Sequence, residues 1–92
     1  MRVALAEIER AASGYFGGAD LKRRDNRPGP TACRRSAYHA ARYLGYSLNE
    51  IGRYFERDHT TIMWALQNEV ADDELYAIVE EARRLALLRV LK

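Results

Sequence analysis

Residues 47–62 read SLNEIGRYFERDHTTI, and this stretch predicts a helix, a short polar turn and a second helix. The Ser47 hydroxyl can accept a hydrogen bond from the backbone N–H of Glu50, whose carboxylate can accept one from the N–H of Ser47. This capping box marks the start of the first helix. Asp58 follows the charged turn and is a good N-cap for the second helix. The stretch therefore predicts a helix-turn-helix.

The second predicted helix has one apolar and one polar face when successive residues are placed about 100° apart around its axis. Its inner face consists of Ile62, Ala65, Leu66 and Val70, and its outer face of Thr60, Thr61, Trp64, Gln67 and Asn68. Short polar side chains at the N-terminal end of such a helix can read base edges in the major groove of DNA. A merely solvated helix face has the same pattern. We place the motif at residues 47–70 and predict that it binds duplex DNA.

A longer run of sequence resembles a known family. The segment Arg57-Asp58-His59-Thr60-Thr61-Ile62-Met63-Trp64-Ala65, preceded by Ser47-Leu48-Asn49-Glu50-Ile51-Gly52, resembles the signature of the C-terminal DNA-binding domain (domain IV) of the bacterial replication initiator DnaA. The similarity extends back to Tyr15-Phe16 and forward to about Asn68. It implies a small all-α domain of about five to six helices, similar to the Trp repressor, that contains a helix-turn-helix.

The resemblance also implies which residues read the bases. These positions are Asp58, His59, Thr60 and Thr61. Thr61 would also support the other three, as Arg57 would, by contacting the DNA backbone or by orienting its neighbours. Asp can accept from a cytosine amino group, and Thr can place its methyl against that of thymine. The family normally has a Gly-Gly pair where this chain has Glu56 alone, and a smaller polar ring at Trp64. The turn is therefore one residue shorter than in the family.

Basic residues are concentrated in one segment of the chain. Residues 22–42 carry seven cations and one carboxylate, a net charge of +6, whereas the whole chain carries +2. A basic stripe on a mildly acidic domain is expected where one surface faces phosphates. The resemblance implies phosphate contacts, which fix register without reading sequence, for positions on the helix after the loop. With the basic loop and the turn included, the predicted backbone contacts are Lys22, Arg23, Arg34, Arg35, Arg42 and Arg57.

Residues 22–30 form a predicted basic loop. It combines four cations with Pro28-Gly29-Pro30, which favours an extended loop over regular structure. An extended arm of this kind can enter the minor groove, where the weakly hydrated guanidinium of arginine is favoured. In the DnaA family an arginine of this loop does so. The candidates in this chain are Arg24 and Arg27, and the sequence does not decide between them.

Helical periodicity continues on both sides of the motif. An amphipathic first helix begins near Val3, and a second begins after Thr31 as N-cap and ends at Gly45. A final helix is predicted over about residues 73–91, and its apolar stripe ends where the next step meets Arg89. The end of this helix is more apolar than one intramolecular contact requires. It either wraps the small core or forms a homodimer, which would present two recognition helices to paired DNA sites.

Length and composition favour one domain over residues 1–92. Cys33 has no partner for a disulfide or zinc site, and no metal, cofactor or small-molecule substrate is expected. No G-x-x-x-x-G-K-[ST] motif occurs, so the chain resembles the DNA-binding domain of an initiator without its ATPase, and the Met1 start favours a separate small protein.

No secretory or membrane-spanning pattern is present, and we expect a cytoplasmic, nucleoid-associated protein with no membrane partner. The alternative function is a protein-interaction module that has retained the scaffold and binds through Trp64 and the leucine-rich tail, and an enzyme is not expected.

Overall fold

The computed structural model describes residues 2–18, 20–21 and 28–91, and over these residues the chain is all-helical, as predicted. Five helices follow one another: α1 (Leu5–Tyr15), α2 (Pro28–Tyr43), α3 (Leu48–Phe55), α4 (His59–Leu66) and α5 (Asp72–Val90). Within the described ranges no helix is both long enough and apolar enough to cross a membrane.

Helix α2 occupies the centre of the fold. It packs on α1 and α5 along one part of its surface and on α3 and α4 along another, while α1 also packs on α5 and α3 on α4. The inner side of α2 is rich in alanine and is buried at Cys33, Ala37, Ala40 and Ala41. Small side chains at these positions let the surrounding helices approach closely. The larger apolar residues of the core are contributed by those helices and the α1–α2 connection, and are Ile8, Leu21, Ile51, Phe55, Ile62, Ile78 and Val79.

The start of α2 differs from the sequence prediction. Thr31 was expected to cap this helix after an extended loop that included Pro28-Gly29-Pro30, but α2 begins at Pro28 and Thr31 lies inside it. Proline is tolerated in the first turn because its φ is already helical and the N–H that it lacks would have no intrahelical partner there. Residues 28–30 of the predicted basic loop are therefore helical, and the cations of that predicted loop, Lys22, Arg23, Arg24 and Arg27, lie outside the described residues.

The N-terminal segment contacts the loop between α2 and α3 and the start of α3. The Tyr46 hydroxyl donates to the Val3 carbonyl at 2.6 Å, and the Arg2 guanidinium lies 4.1 Å from the centre of the Tyr46 ring. Arg2 also pairs with Glu50 at 3.0 Å. A cation over an aromatic face and a buried hydroxyl with its partner both favour one arrangement of this segment. These contacts hold the chain start against the first helix of the helix-turn-helix.

Helix α5 begins and ends within one residue of the prediction, and its inner face is buried at Ile78, Val79 and Ala82. The sequence stripe ends at Arg89 for a physical reason. The Arg89 Nε lies 3.0 Å from Oε1 of Glu7, a carboxylate on α1 that is only 1% exposed, although the angle falls short of a hydrogen bond. Arg10 lies 3.4 Å from the other oxygen of Glu7. Arg89 therefore compensates a buried charge where the apolar contact between α1 and α5 ends.

We expect Arg89→Ala to lower the free energy of unfolding by about 1–3 kcal/mol, because the buried Glu7 carboxylate loses a charged partner. Urea denaturation of dilute protein measures the change. Arg83→Ala is the matched control, since Arg83 pairs at 3.1 Å with the exposed Glu80 on the same helix. Its removal is expected to cost less than about 0.5 kcal/mol. Equal losses for the two variants would show that Glu7 does not depend on Arg89.

Candidate functional site

Helix α3 begins with the predicted capping box. Ser47 Oγ accepts from the Glu50 N–H at 3.1 Å, and Glu50 Oε1 accepts from the Ser47 N–H at 2.9 Å. The backbone hydrogen bond from Ser47, together with the neighbouring Arg2, holds the pKa of the Glu50 carboxyl below its usual value. Ile51 and Phe55 are buried on the inner side of α3. The sequence thus fixes the first half of the motif through local contacts.

Three residues, Glu56, Arg57 and Asp58, turn the chain between α3 and α4. Glu56 has φ 57° and ψ 48°, and it is the only described residue other than glycine with a positive φ. The Arg57 N–H then donates to the Gly52 carbonyl at 2.8 Å. Arg57 Nη1 also donates to the carbonyls of Phe55 and Glu56 at 3.1 and 3.2 Å. The Arg57 side chain therefore satisfies the carbonyls at the end of α3.

Gly52 lies at the closest contact between α3 and the turn. A Cβ atom built on Gly52 would lie 2.6 Å from the carbonyl oxygen of Arg57 and 3.5 Å from the backbone nitrogen of His59. A distance of 2.6 Å is shorter than any ordinary contact, and the neighbour is backbone rather than a movable side chain. Only glycine fits here without a shift of the turn. This contact sets how closely α4 approaches α3.

Helix α4 starts at an exposed acidic N-cap. Asp58 Oδ1 accepts from the Thr60 N–H at 2.8 Å, and this hydrogen bond holds the pKa of the Asp58 carboxyl below its usual value. Asp58 is therefore ionised at neutral pH. His59 Nδ1 lies 3.6 Å from the same oxygen. The structure brings together the four predicted base-reading residues at the N-terminal end of α4, all of them exposed: Asp58, His59, Thr60 and Thr61.

The two faces of α4 agree with the prediction. Ile62 is fully buried, and Ala65 and Leu66 pack against the core. On the outer face Trp64 is 65% exposed, so it does not serve to cover a neighbouring helix. The outer face therefore combines short polar side chains at its start with a large aromatic ring one turn later.

The end of α4 was predicted wrongly. The inner stripe was expected to continue to Val70, but the helix ends at Leu66. The N–H groups of Gln67 and Asn68 donate to carbonyls three residues back, which tightens the last turn, and the Asn68 amide donates to the Trp64 carbonyl at 3.3 Å. His39 Nε2 donates to the Asn68 carbonyl at 2.7 Å, because a carbonyl can only accept. This contact fixes the end of α4 against α2.

The described arginines differ in how exposed they are and therefore in how well they could contact a phosphate. Arg42 is exposed and donates to the Tyr46 carbonyl at 2.8 Å, and Arg35 is half-buried. Arg34 is only 9% exposed and its Nη2 lies 3.3 Å from Thr31 Oγ1, which leaves little of it for a phosphate. Arg53 of α3 is exposed and did not figure in the sequence prediction. Arg53 was missed because it lies outside the basic segment of residues 22–42, although its position on the polar side of α3 indicated an exposed cation.

The comparisons do not assign the chain to a family. No protein-family model matches it, and a search of curated proteins found no match. The resemblance to DnaA therefore rests on the motif residues alone.

The chemistry available at α4 is that of hydrogen bonding. No group of three potential metal-ligating side chains occurs among the residues that the structure describes. Cys33 is buried, and desolvation raises the pKa of its thiol to about 12, so the thiolate scarcely forms at neutral pH. The exposed groups of α4 can donate, accept and make methyl contacts.

We expect Gly52→Ala to lower the free energy of unfolding by about 1–3 kcal/mol, because the added methyl group forces the Arg57 carbonyl to move. Gly14→Ala is the matched control, since Gly14 also lies in a helix and a Cβ there meets nothing within 4 Å. The control should gain about 0.5–1 kcal/mol from helix propensity. Chemical denaturation measures both changes. A neutral Gly52 variant would contradict the close contact.

We expect Glu56→Gly to raise the free energy of unfolding by about 0.5–1 kcal/mol, because glycine adopts the left-handed conformation at lower cost than other residues. Glu56→Ala is the control, since it removes the same carboxylate while keeping the strained Cβ. Thermal melting at two salt concentrations separates charge from conformation. If the two variants are equally stable, the backbone of Glu56 carries no strain.

Proposed function

We propose that this protein binds double-stranded DNA sequence-specifically, with α4 in the major groove. The observation that carries the proposal is the arrangement of α4: its first turn exposes four hydrogen-bonding residues while Ile62 holds the opposite face in the core. A rigidly held helix with a polar, exposed N-terminal end suits the reading of base edges. The resemblance of the same residues to the DnaA signature supports the assignment.

The exposed side chains have distinct chemistry toward bases. Asp58 would accept from a cytosine amino group, His59 would donate to or accept from a base edge, and Thr60 and Thr61 offer a hydroxyl and a methyl group. Asp58 uses one oxygen for the Thr60 N–H. A carboxylate has further lone pairs. Capping α4 and reading a base are therefore compatible at this residue.

Cations around the motif would supply phosphate contacts. Arg42 and Arg53 are exposed, and Arg35 is half-buried. Arg57 lies along the turn and would act mainly by holding α3 and α4 in place. The basic loop would add a minor-groove contact through Arg24 or Arg27, on sequence grounds. Such a set makes affinity fall steeply with salt.

Trp64 would extend the contact beyond the polar turn. It follows Thr60 and Thr61 at the spacing of one helical turn, so the three residues share a face. An exposed indole next to polar groups suits packing on a deoxyribose or a thymine methyl, because these are the apolar parts of the groove. It is the only tryptophan in the chain, so its fluorescence can report binding.

The biological role that fits best is occupation of DnaA-box-like sites to regulate replication initiation or transcription. Occupation of a site requires affinity and no ATPase. A cytoplasmic location in contact with the nucleoid follows from this role. The proposal includes no small molecule, metal or cofactor.

The test begins with a pool of random duplexes titrated at low ionic strength, from which bound sequences are selected. We expect a complex that weakens with salt, quenching of Trp64 fluorescence, and enrichment of a common sequence. His59→Ala should weaken binding to the selected duplex by about 1–3 kcal/mol and change binding to random duplex little, because base contacts rather than phosphate contacts are lost.

Tyr76→Ala provides the control, since Tyr76 is an exposed aromatic residue on α5. It should bind both duplexes like the wild type. Absence of any complex at low salt would refute DNA binding. Equal losses of the His59 variant on selected and random duplexes would refute the assignment of base reading to the start of α4.

A further inference from the structure

Helix α5 carries a second stripe on the side away from the core. Its residues are spaced alternately four and three apart, and all are exposed: Asp73, Ala77, Glu80, Arg84, Leu87 and Leu91. This spacing is that of a helix-pairing seam. The inner stripe of Ile78, Val79 and Ala82 is already buried against α1 and α2. The outer stripe therefore lies outside the buried contact that α5 makes with α1 and α2.

The outer stripe is complementary to itself when two copies run in opposite directions. With the pair centred between Glu80 and Arg84, each Glu80 faces an Arg84 of the second copy. In the next layers Ala77 faces Leu87, so a small residue meets a large one on both sides of the centre. Asp73 then lies opposite Leu91 at the ends. No other antiparallel register places an acidic residue against a basic one at the centre and fills both flanking layers in this way.

Charge along α5 also favours the antiparallel direction. The first turn is acidic at Asp72, Asp73 and Glu74, and the last turn contains Arg89. Antiparallel pairing places the acidic start of one helix beside the basic end of the other, and it also opposes the two helix dipoles. A parallel pair would set like charges side by side. Charge thus selects a second copy of this chain over an unrelated apolar surface.

The ion pairs already present do not prevent this pairing. Arg84 makes a bidentate pair with Glu81, through Nε at 2.7 Å and Nη2 at 2.8 Å, and Arg83 lies 3.1 Å from Glu80. A guanidinium has five N–H donors, so those that Arg84 does not use for Glu81 can donate to Glu80 of the second copy. Glu80 can keep Arg83 while it accepts Arg84 of the second copy, since a carboxylate accepts more than one donor.

We propose that two copies of this protein form an antiparallel dimer through the outer face of α5, centred on reciprocal contacts between Glu80 and Arg84. The proposal does not depend on DNA binding, and the stripe contains no residue of α4. Because the seam is short and its centre is charged, the dimer is weak.

Sedimentation equilibrium in the absence of DNA tests association, over about 1 µM to 1 mM, the range of weak interfaces of small area. The mass should rise with concentration from the 10.6 kDa of one chain toward twice that value. A mass that stays at one chain throughout would overturn the proposal. Association that Leu87→Glu leaves unchanged would also overturn it, because that variant buries a charge in the proposed interface.

Disulfide trapping tests the direction and the register. In the double variant Ala77→Cys, Leu87→Cys the two positions on one chain lie about 15 Å apart along the helix, too far for an internal disulfide. Oxidation should give a covalent dimer. Each single variant should not, because like positions are equally far apart in the antiparallel pair. Cross-linking of Ala77→Cys alone would indicate a parallel pair and refute the register.

Charge reversal tests the centre of the interface. Arg84→Glu should raise the dimer dissociation constant at least about tenfold, because carboxylates then face each other in both central layers. Adding Glu80→Arg should restore dimerisation, since the opposite charges face each other again. Circular dichroism of dilute protein controls for helix content. A double variant that dissociates like the single variant, with normal helicity, would refute the contact between Glu80 and Arg84.

Discussion

The contact between Gly52 and the Arg57 carbonyl is the constraint on which the candidate site depends. The turn between α3 and α4 has only three residues, so the chain must reverse within them. It does so by placing Glu56 in the left-handed region and by donating the Arg57 N–H to the Gly52 carbonyl. The absence of a Cβ at Gly52 gives the turn the space that it needs. Asp58 then caps α4, and the first turn of α4 is exposed.

Local features of the fold were predictable because they depend on neighbours in sequence. The capping box at Ser47 and the cap at Asp58 are contacts within three residues, and the two faces of α4 follow from its helical periodicity. The structure contains all three. The start of α2 was predicted wrongly because proline suits both an extended loop and a first helical turn. The residue type of Glu56 gave no local signal of a positive φ, since glycine is the residue that favours one. The three-residue turn places Glu56 in the left-handed conformation, which its side chain disfavours.

Contacts between distant residues account for most of what the sequence did not reveal. The pairing of Glu7 with Arg89, the bond from His39 to the Asn68 carbonyl and the fastening of Arg2 on Tyr46 each join different parts of the chain. Each involves a polar group whose partner becomes evident only once the helices are packed. The break of the α5 stripe at Arg89 was visible in the sequence, but its cause was the buried carboxylate on α1. A polar interruption of an apolar stripe can therefore mark a charged contact.

Two features of the structure also limit how strongly one copy could bind DNA. Glu56 places a carboxylate beside the surface proposed to meet phosphates, and Arg34, one of the predicted phosphate ligands, is buried. Both features lower the DNA affinity expected of one copy below what the +6 charge of residues 22–42 alone would suggest. A weak dimer would offset this, because binding of one copy raises the local concentration of the second at a neighbouring site. Modest affinity in each contact, combined only on paired sites, would then produce selectivity for such pairs over single sites.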